Sequence, residues 1–145
     1  MIKTLALGAL IVVATIGSAA AAGDAAAGAE TFKKCAACHA VGPNATNKVG
    51  PVLNDVVGRT AGTAAGYKYS QAMIDAGTGG LVWTPENLAK WLHKPKDVVA
   101  GTKMGFAGLA EQTDIENVIA YLLTMSPSYV PPAAPDAAAS SSSAQ

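Results

Sequence analysis

Apolar residues recur at helical spacing in only a few stretches of this chain. Asp24 is placed to cap a first helix over residues 25 to about 37, with Gly28 and Phe32 at i and i+4 on one face. Ser70 caps a short predicted helix through Ala76, which Gly77 and the Gly79-Gly80 pair should stop. The segment WTPENLAKWLHKP carries stronger signals. Thr84 is a good N-cap, Pro85 sits at the first helical position where its missing N–H costs nothing, and Leu88, Trp91 and Leu92 form a stripe that Pro95 ends near Lys94. A last helix opens with Thr113 and Glu116 as a capping box, buries Ile115, Val118, Ile119 and Leu122 with Tyr121 beside them, and stops before Pro127. No stretch alternates as a strand, so the pattern predicts an all-α domain of short helices.

The connections are long for such a domain. Residues 41–69 and 95–110 show no period, apart from one helical turn expected at residues 53–57. Irregular runs beyond about 15 residues are uncommon in compact domains unless the loops have a job. The aromatic supply is also thin, at 2 Phe, 4 Tyr and 2 Trp. A large apolar ligand at the centre would answer both observations, because loops would wrap it and it would complete the core.

At 145 residues the chain is one domain by size. Residues 1–22 read as a secretory signal peptide cleaved after Ala22: a basic start at Lys3, an apolar stretch shorter than the roughly 20 residues of a membrane span, then small residues. An uncleaved anchor is the alternative. Residues 127–145, PSYVPPAAPDAAASSSSAQ, have too little apolar surface to offset their ordering entropy and are expected to be a disordered tail. The folded domain is therefore expected over residues 23–126, in the periplasm. The formal net charge of +0 argues against nucleic acid, which would call for a basic stripe, and no stable membrane insertion is expected.

Both cysteines stand in KKCAACHAVG, with His39 directly behind Cys38. A redox dithiol usually follows a strand, and none precedes Cys35. A structural zinc site needs four ligands, and His93 is the only other strong candidate. A disulfide between Cys35 and Cys38 would close a tiny loop and constrain little. A covalent haem uses every residue: two thioethers from Cys35 and Cys38, and the His39 imidazole on the iron. For the second axial position the candidates are Met73, Met104, Met125 and His93. Met73 and Met125 lie on predicted helices among apolar neighbours, where methionine is more often filler, and His93 adjoins a charged helix end. Met104 stands in the glycine-flanked loop AGTKMGFAG, ~65 residues beyond His39 and with enough chain to reach an opposite face.

CAACHAVG, VGPVLNDVVGRTAG, GYKYSQAM, WTPENLAKWL, AGTKMGFAG and NVIAYL follow one another in the order and spacing of class I c-type cytochromes. The chain resembles most closely the bacterial cytochrome c2 and mitochondrial cytochrome c branch, over residues 23–126. The resemblance implies the class I cytochrome c fold, four to five short helices and long loops around one covalent haem c with its iron. It implies Met104 as the sixth ligand opposite His39, and the Pro51 carbonyl on the His39 N–H. It places Arg59, Tyr69, Trp83 and Thr102 on the haem propionates, and Gly28, Phe32, Val118 and Tyr121 where the first and last helices cross. The sequence departs from the family pattern at Trp91, where a tyrosine near the methionine sulfur is usual, at Met73, often asparagine, and at Gly105, often branched.

With both axial positions taken by protein, the expected function is a one-electron carrier of positive potential rather than an enzyme. Lys33, Lys34, Lys48, Lys94, Lys96 and Lys103 are expected around the exposed haem edge, steering partners. The family implies a cytochrome bc complex on one side and a terminal oxidase, reaction centre or periplasmic dehydrogenase on the other, with the carrier a monomer. The alternative is a haem enzyme or gas-binding protein with a labile Met104.

Overall fold

The computed structural model describes residues 23–132. The expected signal segment and residues 133–145 of the expected tail lie outside the described residues.

Helix α1, Ala25–Phe32, starts as its sequence suggests, with the Asp24 carboxylate accepting the Ala27 N–H at 2.7 Å. It ends sooner than the expected residue 37. Beyond Phe32 the bonds tighten to three-residue spacing, Lys33 N–H to the Glu30 carbonyl at 3.1 Å and Cys35 N–H to the Phe32 carbonyl at 2.8 Å, so CAACH leaves the helix as consecutive turns. Helix α2, Gln71–Thr78, is capped by Ser70, but Gly77 does not stop it. That glycine is buried inside the last turn, where a side chain would overlap the Ala61 carbonyl, and the helix ends at Gly79.

Helix α3, Pro85–His93, follows its signals closely, and Thr84 Oγ1 accepts the Asn87 N–H at 3.2 Å. A single further turn, α4, Pro95–Val98, occupies the start of the run expected to be irregular. Helix α5, Gln112–Thr124, begins one residue before the expected cap. Thr113 is therefore already helical and Glu116 bonds Gln112 at 3.0 Å, so the Thr113–Glu116 capping box does not form. The helical turn expected at residues 53–57 is instead a pair of tight turns with Asp55 in the left-handed region at φ 51°.

The main packing is α1 across α5, with α3 also against α5 and α4 against α3. Val118, at 0 % exposure, and Ile115, at 1 %, mark the centre of the core. Phe32 and Tyr121 meet with ring centroids 5.3 Å apart. Gly28 sits at the crossing, where an added Cβ would overlap the Asn117 carbonyl and stand 2.8 Å from the Tyr121 Cβ. Among the described residues the only β pairing is an isolated bridge, Thr60 with Val82. Together with bonds of 2.9 Å between Arg59 and Trp83 and between Gly58 and Trp83, it staples the middle of the long first loop to the segment entering α3. Tyr129, beyond the expected start of the tail at Pro127, packs against the core. No helix of the described residues is long and apolar enough to cross a membrane.

The crossing makes a direct test. Gly28→Ala gains helix propensity but forces α1 and α5 apart, and overpacking of this kind costs about 1–3 kcal/mol. Chemical unfolding is expected at a lower denaturant midpoint than the parent chain.

Candidate functional site

The turns after α1, the stapled loop, α2, α3 and the loop after α4 enclose one cavity of about 450 Å³, within the range of small-molecule sites. Cys35, Cys38, His39, Pro51, Arg59, Tyr69, Trp83, Trp91, Thr102 and Met104 all line it. His93 and Met125, weighed as alternative iron ligands, do not; His93 instead donates from Nδ1 to the Leu109 carbonyl at 3.3 Å. Met73 does line the cavity, together with Tyr67 and Phe106.

His39 is the most constrained polar group. Its Nδ1 lies 2.7 Å from the Pro51 carbonyl, and a carbonyl only accepts, so Nδ1 carries the proton and Nε2 keeps its lone pair. Burial lowers the His39 pKa; the Pro51 bond opposes this and the Lys48 charge adds to it. The neutral imidazole is the form that binds metal. Gly50 is packed against the ring, and a Cβ there would stand 2.7 Å from Nδ1. The segment holding Gly50 and Pro51 is fastened in turn: Gly50 N–H donates to the Cys38 carbonyl at 2.8 Å, and Lys48 Nζ to the Ala36 carbonyl at 2.5 Å.

Cys35 is half-buried and Cys38 exposed, and the two are not bonded to each other. Burial pushes the Cys35 thiol up, with Lys34 pulling it down and Cys38 adding to the rise. Among the described residues no group of three or more His, Cys, Asp or Glu side chains converges as a metal site.

Arg59 supplies a cation to the cavity wall, as Lys34 and Lys103 also do. Its terminal nitrogens donate to the Asn54 carbonyl at 3.1 Å and the Val52 carbonyl at 3.2 Å, while its buried Nε has no partner. Tyr69 accepts the Ala64 N–H at 3.3 Å, which leaves its own proton free to donate. Burial raises the Tyr69 pKa against the Ala64 bond and the Arg59 charge. Thr102 is engaged locally, its Oγ1 accepting the Met104 N–H at 3.1 Å, and its hydroxyl proton also remains free. Trp83 and Trp91 are buried side by side, with ring centroids 5.1 Å apart. Tyr67, edge-on to Tyr69 at 4.7 Å, donates to the Val49 carbonyl at 2.7 Å and closes the rim.

The donor set fits a haem on its chemistry: two unbonded thiols, an imidazole with a free Nε2, a thioether, apolar walls, and an orphaned guanidinium donor suited to an anionic substituent. Tyr67 and Gly50 were not singled out in the sequence, although Tyr67 stands in the quoted GYKYSQAM and Gly50 in the quoted VGPVLNDVVGRTAG.

The cytochrome c family model matches residues 25–126. A cytochrome c2 of Agrobacterium tumefaciens (strain II Chrys) is 52% identical over 101 residues, 70% of this chain and 91% of that protein. A cytochrome c2 of Blastochloris viridis is 42% identical over 120 residues, 83% and 91% of the two chains. Among solved structures, cytochrome c2 from Rhodospirillum centenum aligns with a TM-score of 0.68 at 44% identity, covering 72% of this chain and all of that one. Cytochrome cH from Methylobacterium extorquens aligns with a TM-score of 0.65 at 45% identity, covering 70% and 99%.

Gly50→Ala should displace the imidazole from Pro51. Losing that hydrogen bond and crowding the ring together cost about 1–3 kcal/mol, read as a lower melting temperature.

Proposed function

The chain belongs to the cytochrome c family, and from that premise we propose that it is a periplasmic electron carrier. The architecture is the all-α class I fold, and the family's cofactor is a covalent haem c with its iron. The observation that carries the reading is that the cavity joins two unbonded thiols, a lone-pair Nε2 and a methionine sulfur, and no other group of that kind occurs among the described residues.

In this reading Cys35 and Cys38 would hold the porphyrin through thioethers, and His39 and Met104 would be the protein ligands of the iron. The bound iron supplies one-electron exchange between its ferric and ferrous forms. The chain's own residues set the conditions for it. Pro51 fixes the His39 tautomer, Trp83, Trp91 and Leu92 exclude water, and Arg59, Tyr69, Trp83 and Thr102 meet the propionates. A methionine ligand and a dry pocket favour the ferrous form, hence a positive potential. With His39 and Met104 both on the iron, the chain's own side chains would keep a substrate from binding the metal.

Partners would meet the molecule where Cys38 is exposed and Val49, 77 % exposed, lines the cavity rim. Lys34 and Lys103 also line the cavity. The lysine ring is weaker than a count of charges suggests. Lys33 pairs with Glu30 at 2.5 Å, Lys34 with Asp114 at 3.0 Å and Lys94 with Asp97 at 3.2 Å, which leaves Lys48, Lys96 and Lys103 outside these pairs. The expected partners are a cytochrome bc complex as donor and a terminal oxidase, reaction centre or periplasmic dehydrogenase as acceptor, met by the monomer.

One observation favours a second reading, a haem enzyme or gas-binding protein. Gly105, beside Met104, has nothing within 4 Å of its Cβ position, so the ligand loop is not braced there.

A redox titration followed through the visible spectrum separates the two. The carrier gives a low-spin protein with one reversible one-electron wave at positive potential, and its pigment stays with the chain in acidified acetone. High-spin ferric iron that binds carbon monoxide readily would overturn the carrier reading. Met104→Ala is expected to produce that high-spin, carbon-monoxide-binding state. An unchanged spectrum would move the sulfur ligand to Met73, the other methionine lining the cavity. Electron-transfer rates with an anionic partner should fall as salt shortens the Debye length from about 30 Å at 0.01 M to about 8 Å at 0.15 M.

A further inference from the structure

The wall that carries Arg59 is held by the chain beyond α5. Of the two residues whose carbonyls hold the guanidinium, Asn54 belongs to the tight turns around Asp55 and Val52 leads into them. Asp55 occupies the left-handed region at φ 51°, where few non-glycine residues settle unaided. Four contacts from the chain beyond α5 fasten that turn. The Asp55 N–H donates to the Met125 carbonyl at 2.9 Å, and the Val57 N–H to Ser126 Oγ at 3.2 Å. Ser126 is 2 % exposed, and its hydroxyl donates onward to the Leu122 carbonyl at 2.8 Å, which fixes its orientation. The Ser128 N–H donates to the Asp55 carboxylate at 3.3 Å.

The fourth contact is the Tyr129 ring, which lies on Gly58. An added Cβ at that glycine would stand 2.7 Å from the ring. Gly58 directly precedes Arg59, and Trp83 bonds both residues, accepting the Gly58 N–H and donating to the Arg59 carbonyl, each at 2.9 Å. The ring thus covers the outer side of the backbone whose inner side presents the guanidinium to the cavity. The family match ends at residue 126, and Ser128 and Tyr129 lie beyond it.

We propose that residues 126–129 form a latch that holds Arg59 in place, making Tyr129 a positioning residue for the reduction potential. The inference rests on the reading of Arg59 as the partner of the cofactor's carboxylates. Those carboxylates favour the ferric form, which carries one more positive charge. A guanidinium fixed against them in the cavity wall, where Arg59 is partly buried, offsets that preference and raises the potential. If the latch opens, Asp55 and Gly58 relax, Arg59 becomes more exposed to water, and the offset is screened further.

The test is a double-mutant cycle on the haem-loaded protein, read as midpoint potential. Arg59→Gln is expected to lower the potential, and Tyr129→Ala to lower it part of the way. The double variant should sit at the Arg59→Gln value, because the latch acts only through that guanidinium. Tyr129→Phe, which keeps the ring, should restore the parent potential. Should Tyr129→Ala not fold, Tyr129→Leu, which retains part of the apolar cover, is expected to give a smaller fall in the same direction. The latch is wrong if the tyrosine variants melt earlier at an unchanged potential, or if the two effects simply add. An unchanged potential in Arg59→Gln would overturn the reading of Arg59 and the latch with it, whereas a fall there with none in the tyrosine variants would overturn the latch alone. Amide exchange gives a second reading: Val57 and Gly58 should exchange faster in Tyr129→Ala, while Val118 at the helix crossing stays protected.

Discussion

The bond from His39 Nδ1 to the Pro51 carbonyl governs the rest of this structure. It settles which ring nitrogen keeps a lone pair, and it fixes the plane of the imidazole against the cavity. To make it, the chain must bring Pro51 back over the CAACH turns, and that return is possible only because Gly50 has no side chain to strike the ring. The Gly50–Cys38 and Lys48–Ala36 bonds then lock the two segments together, so the histidine and both thiols form one rigid corner. A ligand set held in this way needs little rearrangement when the iron changes charge, which is the property a carrier requires.

The helices serve mainly to hold that corner. α1 delivers CAACH, and its crossing with α5 at Gly28, Phe32, Val118 and Tyr121 is the densest part of the core. Asp114 on α5 ties the same end of α1, through Lys34 at 3.0 Å and Thr31 at 3.5 Å. α3 presents Leu88, Trp91 and Leu92 to the cavity from the other side. The long loops that look excessive for a domain of this size are the remaining walls. They are not slack: hydrogen bonds to the segment before α3 and to the chain after α5 fix residues 55–61 of the first of them.

Much of the site was legible because its chemistry is local. Cys35, Cys38 and His39 lie within five consecutive residues, and Met104 stands out by its glycine-flanked setting. The pocket residues Arg59, Tyr69, Trp83, Trp91 and Thr102 came from resemblance, since no spacing rule links such distant positions. What the sequence hid were contacts between remote segments. Gly50 reads as an ordinary turn residue until His39 is packed on it. Gly77 reads as a helix stop until the Ala61 carbonyl is seen to occupy the place of its side chain. Thr113 and Glu116 have the spacing of a capping box, but Gln112 extends the helix and takes the glutamate.

Helix positions, the covalent attachment motif and the all-α class follow from short-range features: caps, periodicity, and residue types fixed a few positions apart. These survive in a one-dimensional reading because the forces behind them act between near neighbours. The tertiary structure alone decided which loops meet, that His93 stays outside the cavity while Met73 lines it, that half the expected lysine ring is paired, and that Tyr129 belongs to the fold rather than to a tail. Each of those outcomes depends on packing between segments tens of residues apart, where burial and steric fit, rather than local propensity, choose among the partners available.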